Sequence, residues 1–489
     1  MVSRFIRSGV AASYPLLFGA ACILDRFANI NADESELLRP LFVTVLFAAL
    51  LFLVSFALLR HVAWASLIAS IAVLLFLSFP VPLGVVGAIA IWWILVGFLN
   101  RRQQAAITRL HPTDPPMRIV AAFCLALFAL NAWTIGQTLT GRGAHQDPLA
   151  PPSTPGGPDI YLLLLDGYPR GDTIRELGFD NASFEDRLAR LGFAVASEAR
   201  SNYTKTWLTV SSLLSGRYTH ELPALSDPPA SARAQVRLLH DVINDAPVLD
   251  YFRQRGYEIV SIPSPTMRGD VTRGVRVERV SNLSGFEVAL VSSTLAAIVA
   301  PDATLDFLAG DAREFSHRQL AEWSGAGPEA AQPRLILSHL MSPHPPFVMG
   351  QKADYLLHCF PSCSVWATTA VNMGLSADEY AHRMEVQLTV LNEMVAGAAE
   401  RIVASDPGAV IIVMSDHGAR YSLEAIEEHF HILFAARTPE HDDVFPNDVS
   451  PVNVFRRLLS TYFGEDLPDL GYRAWLSDWD IPLTLARRE

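Results

Sequence analysis

Basic residues and cysteines are scarce in this sequence of 489 residues. Asp and Glu number 50 against 38 Lys and Arg, and the net charge of −12 argues against a broad nucleic-acid-binding surface. No internal repeat occurs at the periods of solenoids or propellers, so those architectures are not expected. Of the four cysteines, Cys22 and Cys124 lie in apolar stretches, whereas Cys359 and Cys363 share a polar loop.

Charged residues are also sparse in the first third of the chain, where five apolar stretches approach the roughly 20 residues that cross a bilayer. A cleavable signal peptide would explain the first stretch but not those that follow it. So many apolar stretches in close succession also argue against buried core helices of a soluble protein. The predicted spans are Ser8–Leu24, Leu41–Leu59, Ala63–Phe79, Val81–Leu99 and Ile119–Leu139.

The basic residues of the short loops predict the orientation of these spans. Arg4 and Arg7 precede the first span, Arg60 lies in the second loop, and several arginines fill the fourth. The first loop is acidic and the third carries no charge. This alternation predicts a multi-pass inner or plasma membrane protein with a cytoplasmic N-terminus. The odd number of spans then places the C-terminal domain in the periplasm or outside the cell.

The external location gives two alternatives for the cysteine pair. Cys359 and Cys363 could close a small disulfide loop, or they could remain free thiols. A zinc site is disfavoured there, because the two cysteines and the neighbouring His358 do not complete a ligand set.

A spacer rich in proline and glycine separates the apolar third from the rest of the chain. Residues 140–158 read TGRGAHQDPLAPPSTPGGP, a composition typical of a semi-extended linker. The predicted domains are therefore a transmembrane domain of five helices at residues 1–139, this linker, and a globular domain at residues 159–489.

Buried-strand patterns alternate with helical patterns in the globular domain. The apolar run in DIYLLLLDGY predicts a first strand that ends at Asp166. This alternation predicts an α/β domain with a mostly parallel central sheet, which binds ligands at the carboxyl ends of its strands. Further predicted strands are Glu258–Ile262, Arg334–His339 and Ala409–Ser415, and the clearest predicted helices are Ala246–Gln254 and Ala377–Val403.

Two predicted strand ends carry side chains that suit a divalent cation. Asp166 ends the first strand, and Asp416 with His417 follows a later one in VIIVMSDHGAR. A carboxylate and an imidazole side by side at a strand end are typical metal ligands. Taken alone, Asp166 also fits a plain turn, and SDHG fits a surface turn with a capping role.

Thr206 stands at the predicted start of a helix in the segment SNYTKTWLTVSSLLSGR. Trp207, Val210 and Leu214 fall on one helical face, and Gly216 is a plausible C-terminal stop. The backbone N–H groups at a helix start stabilise an anion, either a threonine alkoxide or a phosphate. The alternative is an ordinary N-cap threonine.

The order of these segments resembles the alkaline-phosphatase/sulfatase superfamily. Sulfatases carry a nucleophile seven residues before the first leucine of a leucine-leucine-threonine-glycine ending, and Thr206 stands seven residues before Leu213 of LLSGR. Five spans followed by such a domain resemble lipoteichoic acid synthases and lipid A phosphoethanolamine transferases, whose nucleophile is a threonine. The resemblance covers most of Asp159–Leu470, including the closing stretch DVSPVNVFRRLLSTYFGEDLP.

This resemblance implies a metal site and a nucleophile. It implies that Asp166, Thr206, Asp416 and His417 are metal ligands and that Thr206 is also the nucleophile. Two carboxylates, an imidazole and a threonine oxygen suit Zn²⁺, or Mn²⁺ with added water. Coordination makes a threonine hydroxyl a better nucleophile.

One departure from the sulfatases bears on the activity. Sulfatases require a cysteine or serine, modified to formylglycine, in a Cys/Ser-x-Pro-x-Arg pattern. Here the segment reads TWLTV, without the proline or the arginine. Phosphate-ester chemistry is therefore expected rather than sulfate-ester hydrolysis by that route.

Histidines after the strands are candidates for contacts with the phosphoryl group. His344, in HLMSPHPPF, matches a histidine of the transferases that contacts this group; the alternative is a loop histidine held by its prolines. His429 stands twelve residues after His417, the spacing of a second active-site histidine in phosphoethanolamine transferases, and His431 competes with it. We expect His339 to point into the sheet, and Lys205 is by default an exposed lysine that could alternatively stabilise phosphate.

The sequence thus predicts an enzyme that transfers a phosphoryl head group, of the phosphoethanolamine or phosphoglycerol type. The donor would be a phospholipid, the acceptor an envelope lipid or glycan, and the intermediate a phosphothreonine. Two alternatives remain: a phosphatase or phosphodiesterase with water as the acceptor, and a catalytically silent binding module of the envelope. The stretch from Met267 to Ala331 contains no readable motif.

Overall fold

The computed structural model describes residues 2–29, 36–60, 62–77, 125, 128–129, 156–266, 269–325, 332–360, 373–421, 426–478 and 481–488. Contacts divide the chain into two units. The first comprises Met1–Arg142 and Phe286–Thr304, and the second comprises Gly143–Gly285 and Leu305–Glu489. The sequence-based division placed residues 286–304 in the globular domain. The segment instead joins the first unit, because its apolar side chains pack against the helices there.

In the N-terminal part of the first unit, the described residues up to 77 form three helices that pack against one another: α1 (Val2–Asn29), α2 (Leu38–Leu59) and α3 (Val62–Leu77). Each coincides with one of the first three predicted spans. Among the described residues, one helix is long and apolar enough to cross a membrane, at Leu38–Leu58, and Trp64–Leu77 is a shorter apolar helix. The predicted spans Val81–Leu99 and Ile119–Leu139 lie almost wholly outside the described residues.

A stripe of large apolar side chains is exposed along α2. Leu38, Phe42, Leu46, Leu50 and Leu53 follow one another at helical spacing, and each is more than half exposed. A contiguous apolar surface of this kind is unfavourable in water and marks a contact with lipid or protein.

The strands and helices of the rest of the chain follow the predicted alternation. The strands are β1 (Ile160–Leu165), β2 (Ala194–Val195), β3 (Glu258–Ile262), β4 (Arg276–Val277), β5 (Arg334–Leu340), β6 (Val410–Ser415), β7 (Phe434–Arg437), β8 (Ala474–Ser477) and β9 (Leu485–Arg488). The helices are α4 (Gly171–Glu176), α5 (Ala182–Arg190), α6 (Thr206–Ser215), α7 (Ala232–Asn244), α8 (Pro247–Gln254), α9 (Gly285–Ser292), α10 (Ala296–Val299), α11 (Pro301–Gly325), α12 (Ala377–Ser405) and α13 (Pro451–Phe463).

Seven of the strands in the second unit form one sheet in the order β2-β7-β6-β1-β5-β3-β4. β6, β1, β5, β3 and β4 run parallel, and β7 is antiparallel to both of its neighbours. A separate antiparallel pair is formed by β8 and β9. The prediction of an α/β domain with a mostly parallel sheet is therefore confirmed.

Helices cover both faces of this sheet, which explains why its central strands read as continuous apolar runs. On one face, Leu162 and Leu164 of β1 pack with Ile412 of β6 in a core that includes side chains of α6, α8 and α13. On the other face, the ring of Tyr161 lies 6.3 Å from that of Trp323 in α11.

Local sequence signals account for the longest helix of this unit. Ser376 accepts a hydrogen bond from the N–H of Glu379, and the Glu379 carboxylate accepts one from the N–H of Ser376, which forms a capping box at the start of α12. The predicted helix Ala377–Val403 begins at the same residue and ends two residues earlier than α12.

Of the described cysteines, Cys359 is disulfide-bonded, whereas Cys22 forms no disulfide. The bonded state of Cys359 agrees with the first of the two alternatives for the pair. Cys363 lies outside the described residues.

Candidate active site

Strand register places the two predicted carboxylate ligands side by side. β1 and β6 are parallel neighbours in which Leu165 pairs with Ser415, so the next residues, Asp166 and Asp416, leave the sheet together. Both aspartates are buried, as is the following His417. The possible ligand atoms of these three residues lie within 4.8 Å of one another. The sheet therefore brings together three of the four predicted metal ligands.

The hydrogen bonds of Asp166, Asp416 and His417 leave one atom with a lone pair on each residue, and these three atoms face one another. Oδ1 of Asp416 accepts from the N–H groups of Gly167 and His417, whereas its Oδ2 has no hydrogen-bond partner. Nδ1 of His417 donates to the carbonyl oxygen of Gly418 at 2.8 Å, so a neutral ring carries its lone pair on Nε2. That Nε2 lies 3.2 Å from Oδ1 of Asp166, which also has no hydrogen-bond partner.

This arrangement fits a divalent cation. Buried carboxylate oxygens without donors are costly, and lone pairs directed at each other repel. A cation between Asp166, Asp416 and His417 would satisfy all three, and the backbone acceptor on Nδ1 of His417 is the usual partner that orients a metal-bound imidazole. Oxygen and imidazole ligands suit Zn²⁺ and Mn²⁺ alike.

Glycine at position 167 allows this close packing. Gly167 has φ of +71°, and a Cβ atom there would lie 3.2 Å from Cε1 of His417 and 3.8 Å from Cα of His344. Any side chain would therefore be strained at this φ and would crowd the ring of His417.

Thr206 is the first residue of α6. The N-cap position is occupied by Lys205, and no side chain caps the helix, so the alternative of an N-cap threonine is wrong. One turn later, the Thr209 hydroxyl donates to the carbonyl oxygen of Asp416 at 3.0 Å. The helix start therefore lies against the segment that carries Asp416.

Gly269 lies close to Thr206 on another side. A Cβ atom on Gly269 would lie 3.0 Å from Cγ2 of Thr206, closer than carbon atoms normally pack. Residue 269 must therefore be small for Thr206 to keep its place.

Two basic residues, Lys205 and Arg420, lie near Thr206 in the structure. Lys205 is buried, with 9% of its surface exposed, so its default assignment as an exposed lysine is wrong. The guanidinium of Arg420 donates to the carbonyl oxygen of Thr204, two residues before Thr206. Burial lowers the pKa of Arg420, and the charges of Asp166 and Asp416 oppose that effect. Arg420 was not singled out from the sequence, although it ends the SDHGAR segment.

His344 lies beside the carboxylate cluster. Its ring centroid is 6.2 Å from that of His417, and its Nδ1 donates to the carbonyl oxygen of Pro345 at 2.7 Å. Burial lowers the pKa of His344 below its usual value, although the charge of Asp166 acts in the opposite direction. His344 is therefore a neutral imidazole whose Nε2 carries the lone pair.

His429 and His431 make different contacts in the structure. The carbonyl oxygen of His429 accepts a hydrogen bond from the N–H of Gly418 at 2.8 Å, which ties it to the SDHG loop. The ring of His431 instead has its Nδ1 3.3 Å from Oγ1 of Thr173 in α4.

The structure also adds a buried pair that sequence reasoning missed. Nδ1 of His339 lies 2.8 Å from Oδ1 of Asp270, and Nε2 lies 3.6 Å from Oδ2 of Asp166. His339 therefore faces the site, and the expectation that it points into the sheet was wrong. Burial lowers the pKa of His339, but Asp270 and Asp166 outweigh burial and raise it well above 6.5.

The charge on Asp166 follows from these neighbours. Burial raises the pKa of Asp166, but the histidines that face it outweigh burial and hold the pKa well below its usual value. Asp166 is therefore a carboxylate at neutral pH, as a metal ligand must be.

The chain resembles several solved structures at low sequence identity. The C-terminal periplasmic domain of EcEptC from Escherichia coli shares 15% identity, covers 70% of this chain and 96% of its own, and gives a TM-score of 0.40. The integral membrane protein lipooligosaccharide phosphoethanolamine transferase A (EptA) from Neisseria meningitidis shares 13% identity over 89% of this chain and 78% of its own, with a TM-score of 0.41. The phosphonate monoester hydrolase of Agrobacterium radiobacter shares 14% identity over 66% and 82%, with a TM-score of 0.38.

The structure of BT1596, a 2-O GAG sulfatase, shares 12% identity over 65% of this chain and 77% of its own, with a TM-score of 0.39. No family model matches the chain, and no curated protein matches it.

Proposed function

We propose that the chain is a membrane-anchored transferase that moves a phosphoryl head group from a phospholipid to an envelope lipid or glycan through a phosphothreonine at Thr206. The observation that carries this proposal is the cluster of Asp166, Asp416 and His417. Oδ1 of Asp166, Oδ2 of Asp416 and Nε2 of His417 lie close together, and neither oxygen accepts a hydrogen bond. The cluster lies beside the helix that begins with Thr206.

The residues divide the chemistry among themselves. Asp166, Asp416, His417 and Oγ1 of Thr206 would hold one divalent cation, Zn²⁺ or Mn²⁺. When bound, the cation lowers the pKa of the threonine hydroxyl and offsets the charge that develops on the phosphoryl oxygens. The start of α6 adds backbone N–H groups and a helix dipole, both of which favour an anion.

The reaction has two steps with the same geometry. Oγ1 of Thr206 attacks the phosphorus, the bond to the glycerol oxygen breaks, and diacylglycerol leaves with the proton that Thr206 gave up. The head group is then held on Thr206 as a phosphodiester. In the second step a hydroxyl of the acceptor attacks the same phosphorus and releases the Thr206 oxygen, which regains a proton.

His344 and His429 act on the phosphoryl group and on protons. The lone pair on Nε2 of neutral His344 suits it to accept the proton of the incoming hydroxyl, and the protonated ring then donates to a phosphoryl oxygen. His429, tied to the SDHG loop through Gly418, supplies a second contact to the phosphoryl oxygens.

The membrane part of the proposal keeps the predicted topology. Five spans hold the chain in the inner or plasma membrane with a cytoplasmic N-terminus, residues 140–158 form the linker, and the catalytic domain at 159–489 lies outside. The exposed apolar stripe of α2 supports contact with lipid. A site held near a bilayer favours a phospholipid as the donor.

The proposal can be tested on the full chain in nanodiscs. The protein is incubated with phosphatidylethanolamine or phosphatidylglycerol, and peptides are searched by mass spectrometry for a head-group adduct on Thr206. We expect the adduct and diacylglycerol release in the unchanged chain and in Thr389→Ala, which removes an exposed hydroxyl on α12. Thr206→Ala should abolish both.

The same assay separates the alternatives. Head-group phosphate in solution, rather than on an added lipid or glycan, would identify water as the acceptor and make the protein a hydrolase. Full activity in Thr206→Ala would contradict the proposed nucleophile. No reaction and no bound metal would favour the silent binding module.

A further inference from the structure

The segment Phe286–Thr304 interrupts the second unit in sequence but belongs to the first unit in structure. It reads FEVALVSSTLAAIVAPDAT, and no charged residue occurs between Glu287 and Asp302. The segment contains α9 and α10, which are too short to cross a bilayer. Its place in the first unit is therefore not that of a further span.

Apolar contacts hold α9 against the helices of the first unit. The ring of Phe286 meets that of Phe27 edge to face, with centroids 5.3 Å apart and planes at 85°. Phe286 and Leu290 are buried in one cluster with Leu24 of α1 and Leu77 of α3. Burying two large apolar side chains in this way stabilises the contact of the segment with these helices.

Polar contacts fix the same segment at three points. The N–H of Phe286 donates to a carboxylate oxygen of Glu36 at 2.9 Å, and Glu287 forms an ion pair with Arg39. Further along, the N–H of Leu295 donates to the carbonyl oxygen of Phe76 at 3.0 Å.

All of these partners lie at one end of the first unit. Phe27 is near the C-terminal end of α1, Arg39 is at the N-terminal end of α2, and Phe76 is at the C-terminal end of α3. The C-terminal ends of α1 and α3 meet at this end, where Arg26 donates to the carbonyl oxygen of Leu77. In the proposed topology it is the external end, where the first span finishes and the second begins.

From Ala296 to Ala300 the exposed surface of the segment is apolar, and Asp302 is the first exposed charged residue after it. Val299 is 73% exposed and Ile298 is 39% exposed, and the adjoining Ala296 and Ala300 are exposed as well. At the same end of the unit, the exposed stripe of α2 begins with Leu38. The exposed apolar residues of the segment and the start of the stripe of α2 therefore lie at the same end of the first unit.

We propose that Phe286–Ala300 is an interfacial membrane anchor, with Ile298 and Val299 inserted into the outer leaflet of the bilayer. A lipid surface is the favoured occupant because the exposed residues of Ala296–Ala300 lack any polar or charged side chain for a specific protein contact, and because they lie at the same end of the first unit as the start of the stripe of α2. Short apolar elements at the headgroup boundary bind in proportion to the apolar area that they bury. This anchor does not depend on the chemistry at Thr206.

Spin labelling of the full chain in nanodiscs tests this anchor directly. Val299→Cys is labelled and compared with Ile481→Cys, an exposed apolar position of the second unit, and the labelled unchanged chain supplies the background from Cys22. Oxygen concentrates in the bilayer, whereas a charged or polar nickel chelate stays in water. We expect collisions with oxygen to exceed those with nickel at Val299, and the reverse at Ile481.

The outcomes separate lipid from other occupants. A Val299 label as accessible to nickel as the Ile481 label would overturn the proposal. A photo-crosslinking residue at position 299 provides a second measurement, in which a mass increase equal to one phospholipid supports the anchor. Crosslinking to a second copy of the chain would assign this surface to an oligomer instead and would overturn it.

Discussion

His339 and Asp270 are joined by a contact of 2.8 Å between Nδ1 and Oδ1, although they lie 69 positions apart in the chain. The other nitrogen of the same ring faces Asp166 at 3.6 Å. His339 therefore links a loop after β3 to a proposed metal ligand after β1. A buried imidazolium between two carboxylates offsets their charges and holds both in position.

The first prediction concerns replacement of this histidine. His339→Gln leaves the carboxylates of Asp166 and Asp270 buried without the positive charge between them. Removing one partner of a buried ion pair costs about 3–5 kcal/mol of unfolding free energy. Thermal unfolding of the full chain in detergent, with a chelator present, should show a lower unfolding temperature for this variant.

The stability lost in His339→Gln should depend on pH. The pKa of His339 is raised well above 6.5 in the folded protein. The stabilisation is therefore complete below about pH 6.5 and is lost as the pH rises through the folded-state pKa. The difference between the unchanged chain and His339→Gln should be largest at pH 6 and should shrink in alkaline solution. His317→Gln, on the exposed face of α11, is the matched control, and a pH-independent difference would refute the imidazolium.

The second prediction concerns metal removal. One carboxylate oxygen of Asp166 and one of Asp416 are buried beside His417 and accept no hydrogen bond. A bound cation should therefore stabilise the folded state. Adding Zn²⁺ or Mn²⁺ to chelator-treated protein should raise the unfolding temperature and restore activity. A concentration 100 times the dissociation constant contributes about 2.7 kcal/mol.

A matched pair of variants checks this metal effect. Asp416→Asn removes a ligand charge and should abolish the rise in unfolding temperature. Asp172→Asn changes a partly exposed aspartate that pairs with Arg170 and should retain the rise. An equal rise in both variants would place the cation elsewhere.

Local patterns were sufficient to predict the elements on which the site is built. The apolar runs of β1 and β6 mark buried parallel strands, and the polar residue that ends such a run marks the edge of the sheet. Asp166 and Asp416 could therefore be placed at the same edge before their register was known. The bounds of β3 could also be predicted from the sequence, because Glu258–Ile262 is a short segment, rich in β-branched residues, that follows a helix.

Contacts between distant segments could not be predicted in the same way. Asp270 lies in a stretch without a motif, and only the folded loop after β3 brings it to His339. Lys205 is buried because of the packing around α6, and the local sequence does not predict that packing. The placement of Phe286–Thr304 with α1–α3 was missed for a similar reason: its apolar composition fits a core helix equally well.

The third prediction uses the close approach of Gly269 to Thr206. Gly269→Ala would place a methyl group 3.0 Å from Cγ2 of Thr206 and would displace that side chain. Misplacing a reacting group by about 1 Å can cost about 100-fold in rate, so a smaller shift should lower kcat by about tenfold with little change in stability. Rates of diacylglycerol release measure the effect.

Another glycine provides the control for this third prediction. Gly471 has open space around the position of a Cβ atom, so Gly471→Ala should leave kcat unchanged. Normal activity in Gly269→Ala, with the protein fully folded, would show that the position of Thr206 is not critical.

The fourth prediction contrasts two arginines in the second unit. Arg334 is buried and pairs with Asp159 at 2.6 Å, which joins the starting ends of β5 and β1. Arg334→Met leaves the carboxylate of Asp159 with little exposure and no counter-charge, so it should cost about 3–5 kcal/mol. Arg187 forms more exposed ion pairs with Glu393 and Glu400, and Arg187→Met should cost less than about 1 kcal/mol.

Activity measurements separate stability from chemistry in this last pair. Asp159 and Arg334 lie at the ends of the strands opposite to Asp166, so neither should affect the reacting groups directly. Below its unfolding temperature, Arg334→Met should keep the kcat of the unchanged chain while it unfolds at a lower temperature than Arg187→Met. A large loss of kcat in folded Arg334→Met would mean that the starting ends of β1 and β5 control the position of Asp166 through the strand itself.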